Sequence, residues 1–399
     1  MTAYTPTPEV AAYLDSKRQR ALIIGVLGLA ACAAGFFMDS AQFYRSWLVA
    51  FIFWFGIALG GLAITMLNHV TGGAWGVMAR RITESAAGNL PLMAVFFLPV
   101  VFGMQSLYEW THADVVAKDP ILQQKAPYLN TTFFYIRAAI YFGIWLFLLR
   151  LVRGWSLAQD REGAEPYHTR LQRVSAGGLL LYVLTLSFAS TDWLMSLEPH
   201  WFSTIYGIMM LGSQGVTVFA LIILTLTGLL RFKPISEIVT SVHLHDLGKL
   251  QFAFVMLWAY FNFSQYLIIW SGNLAEEVPW YVNRTQGGWQ IIAVGLLFLN
   301  FIVPFAVLLS RNVKRNPGRV RPVVTLLFVM QIIYIFWLAA PAFSHGGPPH
   351  FSVHWLDLAA QLGVGGIFMW MFYSQLKSQP LLPQHEPYLE EAIHHGRHH

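Results

Sequence analysis

Three ionisable residues interrupt an otherwise apolar part of the chain. Asp192, Glu198 and His200 lie in the segment ASTDWLMSLEPHWFSTIYG, residues 189 to 207. Carboxylates and histidines take up and release protons, and an acid inside a membrane helix typically faces a protein interior or a water path. The Glu198-Pro199 pair predicts a tight turn between two helices, because proline cannot continue a helix. Asp192 is then expected roughly 9 Å inside the preceding helix, at ~1.5 Å per residue.

Asp192 has two interpretations from its sequence context. In the first it handles protons in the outer half of the membrane. In the second it is a helix-packing acid, bonded to a neighbour or to Arg137, which is expected about one turn into the preceding predicted helix; the candidate neighbours are Ser187, Thr191 and Trp193. Intramembrane acids of both kinds occur, so the sequence leaves both interpretations open.

Further ionisable residues are predicted at the same outer boundary. Glu109 and His112 lie at the end of the third apolar stretch, and Arg137 lies one turn into the fourth. We expect them to lie in one layer with the residues of the turn. The candidate proton-handling residues on the outer side are Asp192, Glu198, His200, Glu109, His112 and Arg137.

A second group of candidates is predicted on the cytoplasmic side. His69 ends the second apolar stretch, and His243, His245 and Asp246 begin the seventh. Histidine titrates near neutral pH, which suits proton uptake. The alternative is that each histidine caps a helix end at the membrane interface.

Amide and hydroxyl side chains continue along the seventh stretch. Asn262, Ser264, Gln265 and Ser271 give it a polar stripe. Such a stripe is typical of a water-filled proton path and equally of interhelical hydrogen bonding.

These residues must be positioned by membrane-spanning helices. The chain has 399 residues, of which 56% are hydrophobic and 11% charged, whereas an ordinary soluble domain has roughly 25% charged residues. A spanning helix needs about 20 mainly apolar residues, so we predict an all-α integral membrane protein. The ten predicted spans are 20–38, 46–67, 89–110, 132–151, 174–196, 203–230, 250–272, 287–310, 320–342 and 355–376.

The distribution of cations predicts the orientation. Most of the 25 Lys and Arg residues lie in the loops on the side of the termini, which predicts that both termini are cytoplasmic. Their place in loops between spans also argues against nucleic-acid binding. We therefore expect a cytoplasmic N-terminal segment at 1–19, a membrane domain at 20–376 and a His-rich cytoplasmic tail at 377–399 that forms a short polar extension.

The residue types favour a chain without its own redox metal. Cys32 is the single cysteine, which excludes a four-cysteine iron-sulfur site and a CxxCH haem attachment. No pair of histidines lies well within the spans, which argues against haem b. His345, His350 and His354 are close in sequence, but the Gly-Pro loop between them fixes no ligand geometry, so we predict no metal site there.

Three segments carry a resemblance to a known family. They are LNHVTGGAWGVMARRITESAAG (67–88), STDWLMSLEPHWFSTIYG (190–207) and HDLGKLQFAFVMLWAYFNFSQYLIIWSGNLAEEVPWYVNR (245–284). With the ten-span pattern, the chain resembles the NrfD/polysulfide-reductase membrane-subunit family, and most the ActF-type subunits of alternative complex III, a bacterial quinol-oxidising respiratory complex.

The resemblance implies a fold, a location and partners. It implies two four-helix bundles, helices 2–5 and 6–9, with flanking helices 1 and 10, in the bacterial inner membrane. The implied partners are a sister NrfD-like membrane subunit, a periplasmic iron-sulfur subunit, c-type cytochrome subunits and small membrane subunits, besides membrane lipids. Iron-sulfur clusters and haem c are then expected in the partners. Quinone or quinol is the candidate ligand here, with Asp192, Trp193 and His200 as candidate contacts.

The functional expectation is a non-autonomous subunit of a quinol:electron-acceptor oxidoreductase. The subunit is expected to support quinol oxidation and to conduct protons through polar half-channels. A purely structural anchor of the complex is the first alternative. An ion or solute transporter is the second, although Pro99 and Pro304 do not form the matched pair of interrupted helices expected of that class.

Overall fold

The computed structural model describes residues 4–344 and 350–395. Its described part contains ten helices that are long and apolar enough to cross a membrane, which confirms the predicted fold class and span count. The ten are α1 Pro8–Met38, α2 Ser40–Thr71, α3 Arg80–Phe102, α4 Thr131–Glu162, α5 Tyr167–Leu197, α6 Tyr206–Leu229, α7 Ser241–Gly272, α8 Trp289–Leu309, α9 Pro317–Phe343 and α10 Trp355–Lys377.

Several helices begin earlier than the apolar pattern predicts. Helix α1 begins at Pro8, where the Thr7 hydroxyl accepts a hydrogen bond from the Val10 N–H, so most of the predicted N-terminal segment is helical. Helix α3 begins at Arg80, nine residues before the predicted span. A helix of 32 residues, such as α4, is about 48 Å long, whereas the hydrocarbon layer is about 30 Å thick. The polar ends therefore extend beyond the apolar window.

The helices form the two bundles that the resemblance implies. Helices α2 to α5 pack around one another, and α6 to α9 form the second group. Helices α1 and α10 pair along their length and rest on α2. Gly60 of α2 approaches α6 closely, since a Cβ there would lie 2.9 Å from Val218 and 3.1 Å from Gln214. This contact supports the packing role expected of small residues in membrane helices.

The helix ends define two faces of the molecule. The terminal face contains the start of α1 and the end of α10, and the opposite face contains the α5–α6 turn. The short segments that connect α3 to α4, including the helix Pro120–Lys125, lie on the opposite face with the helix Val278–Arg284.

The C-terminal tail is not a free polar extension, in contrast to the sequence expectation. Residues 378–395 pack against the terminal face and end in the short helix Leu389–His394. Leu382 and Ala392 are fully buried, and Glu386 is 6% exposed. Apolar residues within a polar segment, LLP at 381–383, are the local signal for this burial.

Candidate functional site

Asp192 is held by an arginine in the interior of the first bundle. The Arg137 guanidinium on α4 donates to both carboxylate oxygens, Nε to Oδ2 at 2.8 Å and Nη2 to Oδ1 at 2.9 Å. The Tyr141 hydroxyl donates to Oδ2 at 2.8 Å. Asp192 is 1% exposed. The pair that the helix-packing interpretation requires is therefore present, and any proton taken up by Asp192 must compete with a two-point ion pair.

Aromatic rings surround this ion pair. The Arg137 Cζ atom lies 3.9 Å from the centre of the Tyr128 ring, and Arg137 Nη1 donates to the Tyr128 carbonyl at 2.8 Å. Trp193, next to Asp192, packs on Phe97 with ring centres 4.7 Å apart. The Tyr108 hydroxyl donates to the Trp193 carbonyl at 3.0 Å. These contacts fix the end of α5 and shield the charges from the apolar side.

Glu198 is held in the same manner by the second bundle. Arg284 donates to both oxygens, Nη1 to Oε1 at 3.2 Å and Nη2 to Oε2 at 2.6 Å. Its guanidinium stands 3.8 Å over the Trp280 ring, which stacks on Trp201 at 4.7 Å. Arg284 is 1% exposed. Sequence reasoning did not single out Arg284, although an arginine directly before an apolar stretch is the signal that indicates it.

The α5–α6 turn is consequently tied to both bundles. Asp192, before the turn, binds α4, and Glu198, within it, binds the helix Val278–Arg284 that precedes α8. The two acids of the unusual segment act as paired anchors, one for each bundle.

The remaining outer candidates lie closer to solvent. His200 Nε2 lies 2.5 Å from Asp119 Oδ2, and its side chain is 48% exposed. The hydrogen bond from His200 lowers the pKa of Asp119 below its ordinary value. Glu109, Glu198 and His200 line a cavity of about 370 Å³. His112 is exposed on the surface.

The structure does not bring the three candidate quinone contacts together. Asp192 and Trp193 are each 1% exposed within the first bundle, whereas His200 lies at the surface beside Asp119. Trp193 is enclosed by its aromatic neighbours. Asp192 and Trp193 lie in the last turns of α5, whereas His200 follows the end of that helix at Leu197 and lies at the surface.

On the terminal face, His69 lies beside a buried ionic cluster. Arg80 Nη2 donates to the Asn68 Oδ1 atom at 2.8 Å, and Arg80 forms an ion pair with Glu386 of the tail. His69 is 4% exposed, and its Nε2 atom has no hydrogen-bond partner within residues 4–344 and 350–395. His69 is therefore buried in the interior, whereas the helix-capping interpretation places it at the membrane interface.

The same cluster contains two acids that sequence reasoning missed. Arg81 donates to Glu84 at 2.6 Å and to Asp160 of α4 at 2.5 Å. The Ser156 hydroxyl donates to Glu84 at 2.5 Å. Glu84 is 1% exposed, as buried as Asp192. Both acids fell outside the predicted spans, because the apolar pattern stops short of the true helix ends.

His243 binds the tail. Its Nδ1 atom accepts the Thr240 N–H at 3.0 Å, so the ring carries its proton on Nε2, which lies 2.8 Å from the Ala392 carbonyl. The helix-capping interpretation of His243 is therefore confirmed. Its second nitrogen fastens the C-terminal helix.

Asp246, in the next turn of α7, also contacts the tail. Its carboxylate lies 2.8 Å from His395 Nε2 and 3.1 Å from Lys249 Nζ. His245 does not share these contacts, and its Nδ1 atom has no partner among the residues described. The predicted cytoplasmic group thus divides into His243 with Asp246 at the tail, His245 by itself, and His69 beside Arg80.

The polar stripe of α7 makes contacts to neighbouring helices. The Tyr334 hydroxyl of α9 donates to Asn262 at 2.9 Å, and Ser203 donates to Gln265 at 2.6 Å. Deeper in the bundle, Gln331 of α9 accepts from Ser213 at 2.6 Å and donates to Asn300 at 3.1 Å. The interhelical hydrogen bond expected of such a stripe is therefore present at Asn262, whereas Gln265 binds Ser203 in the segment that connects α5 to α6.

Comparison with known proteins assigns no family. No protein-family model matches the chain, and no curated protein matches it. Within residues 4–344 and 350–395, no group of three or more His, Cys, Asp or Glu side chains is arranged to hold a metal ion. His345 of the GlyPro loop lies outside the described residues. With ten candidate spans among its described residues, the molecule is a multi-pass membrane protein, and its family stays a prediction.

Proposed function

We propose that the chain is a membrane subunit of a respiratory quinol-oxidising complex of the alternative complex III type. The observation that carries the proposal is a two-bundle membrane domain with a buried ionic group near each face. Arg137 with Asp192 forms one, and Arg81 with Glu84 and Asp160 forms the other. Buried charges within membrane helices, such as Arg137 and Asp192, are costly and typically mark proton or ion routes.

In this proposal the two faces have different tasks. The chain lies in the bacterial cytoplasmic membrane with both termini cytoplasmic, in keeping with the positive charge of the terminal-side loops. The opposite face, with its cavity beside Glu198 and His200, meets the periplasmic iron-sulfur and c-type cytochrome subunits. Quinol oxidation belongs to the assembly, and this chain contributes polar half-paths for protons.

A specific observation also favours the structural-anchor alternative. Asp192 and Glu198 are each bound by two guanidinium nitrogens. Residues locked in this way stabilise the junction of the bundles whether or not a proton passes. The two functions differ in what neutralising Asp192 does to the rate of each assembled complex.

Affinity purification tests the assembly. The chain, tagged and extracted from native membranes in mild detergent, is expected to bring down iron-sulfur and multihaem c-type subunits with a sister NrfD-like protein. Mass spectrometry identifies the proteins, and absorbance identifies the haem. A chain that purifies alone, without haem or a redox partner, would overturn the proposal.

A further inference from the structure

A second cavity lies on the opposite face, and its lining contains no residue of the Arg137–Asp192 or Arg284–Glu198 ion pair. It has a volume of about 190 Å³ and is enclosed by the starts of α2, α8 and α10 and the end of α9. Phe336 and Phe343 form apolar walls. The polar side chains that line it include Gln42, Arg45, Trp289, His350 and His354.

Arg45 is the unusual residue of this cavity. Its guanidinium makes no hydrogen bond or ion pair within residues 4–344 and 350–395, and its Nε atom is fully shielded from solvent. The Cζ atom lies 5.3 Å from the centre of the Phe343 ring. An arginine that is half-buried against aromatic rings loses hydration, and the carboxylate or phosphate that its planar donors fit would restore the lost interactions.

Two carboxylates are near Arg45: Asp357 lines the cavity itself, whereas Asp39 lies outside its lining. Asp39 accepts the Gln42 N–H at 2.9 Å as the N-cap of α2. Asp357 accepts the Ser46 hydroxyl at 2.5 Å and the His354 N–H at 2.8 Å. Each acid therefore caps a helix, and neither neutralises Arg45 by a direct contact.

Trp289 adds a second unsatisfied donor. It is 2% exposed, and its indole N–H has no acceptor among the described residues. Packing fixes the ring against Phe336 at 5.6 Å and Phe351 at 5.1 Å. A buried N–H without a partner costs roughly 1–3 kcal/mol, and Trp289 is one of the residues that line the cavity.

His354 supplies a third donor. Its Nδ1 atom accepts the Leu356 N–H at 3.2 Å, so the neutral ring carries its proton on Nε2. The Phe351 N–H donates to the Gly287 carbonyl at 2.8 Å, which ties this segment to the start of α8. Residues from three helix starts, Arg45, Trp289 and His354, thus line one space.

We propose that this cavity binds a phosphate-type oxyanion, with Arg45 as its cation and the Trp289 and His354 N–H groups as further donors. The volume is several times that of a water molecule, ~30 Å³, and is sufficient for a phosphate group. The cavity lies at helix ends, where lipid headgroups lie. A phospholipid headgroup and free phosphate therefore present the same chemistry to it. This inference does not depend on the respiratory assignment.

Two binding measurements on the delipidated full-length chain test the site. Native mass spectrometry follows phosphatidylglycerol, and calorimetry follows inorganic phosphate. Arg45→Gln removes the charge and is expected to weaken binding about 10-fold or more, whereas Trp289→Phe removes only the N–H and weakens it about 3-fold or more. Lys118→Gln is the matched control, because it removes an exposed cation from the same face.

The outcomes distinguish a phospholipid headgroup from free phosphate as the bound oxyanion. Lipid binding that Arg45→Gln abolishes, without competition from inorganic phosphate, identifies a headgroup site. Binding of inorganic phosphate with the same dependence on Arg45 identifies a free-anion site. No binding, or equal binding by wild type, Arg45→Gln and Trp289→Phe, overturns the proposal. If Arg45→Gln does not fold, Trp289→Phe decides, since it retains the ring and the charge.

Discussion

Arg137 and Asp192 form a two-point ion pair, 2.8 and 2.9 Å long, between α4 and α5 in the interior of the first bundle. Both groups lie away from solvent, with side chains 9% and 1% exposed. Such a pair contributes little by its presence, because desolvation offsets the attraction, but the loss of one partner leaves an uncompensated buried charge. This asymmetry makes the pair testable.

Asp192→Asn is expected to lower the free energy of unfolding by about 3–5 kcal/mol, because Arg137 stays buried without a counter-charge. Thermal unfolding of the purified chain in detergent measures the change. The double variant Arg137→Gln/Asp192→Asn should regain part of the loss, since neither charge remains. A double variant that loses the sum of both single effects would contradict the ion-pair explanation.

Activity distinguishes the proton-handling role from the anchor role. In the assembled complex, Asp192→Asn is expected to lower quinol turnover or proton release per complex, because the amide does not release a proton. Turnover is measured per haem, so that loss of assembly is corrected. Tyr141→Phe is a useful comparison, since it removes one hydrogen bond to Asp192 and keeps the carboxylate. Unchanged turnover and pH dependence in Asp192→Asn would leave the anchor role.

Arg81 is expected to be the most sensitive residue of the terminal face. Arg81→Gln leaves Glu84 and Asp160 buried without their shared cation, and we expect a loss of about 3–5 kcal/mol or failure to accumulate. Arg18→Gln is the control, because its pair with Asp15 is about 40% exposed and should change stability by less than about 1 kcal/mol. Folded yield and the thermal unfolding temperature are measured for both variants. Equal stability of the two variants would show that the cluster is not the support described.

The tail is expected to detach when its buried acid is neutralised. Glu386→Gln breaks the ion pair with Arg80, whose side chain is 2% exposed, and should speed amide exchange in Leu389–His394 by about 10-fold or more. Glu390→Gln, an exposed acid of the same tail, is the matched control. Hydrogen-exchange mass spectrometry measures both. Unaltered exchange in Glu386→Gln would mean that Leu382 and Ala392 suffice to hold the tail.

The Asp119–His200 contact predicts that the stability of the fold depends on pH in the acid range. His200 lowers the pKa of Asp119 in the folded protein, so this carboxylate stabilises the fold above its ordinary pKa of 3.8, and the contribution is lost as pH falls through the lowered value. The unfolding temperatures of wild type and Asp119→Asn should therefore converge at low pH. Asparagine still caps the helix Pro120–Lys125. A difference that is constant across the acid range would refute the contact.

The ten spans and the presence of polar groups at their ends could be predicted from the sequence. Apolar length is a local property, because each helix satisfies its own backbone hydrogen bonds within the membrane. The turn at Glu198-Pro199 could also be predicted, because proline ends a helix through local geometry. The first and last residues of the helices were predicted less well, since residues such as Arg80 and Glu84 continue a helix outside the apolar window.

Tertiary structure alone decided which charges meet. Arg137 and Asp192 are 55 positions apart, and Arg284 and Glu198 are 86 apart, so their contacts depend on which helices pack together. The partnership of Arg80 with Glu386 spans 306 positions and requires the tail to fold back. The sequence determines that costly charges are present, and packing determines whether each is compensated, because compensation requires atoms within about 3 Å that local patterns do not specify.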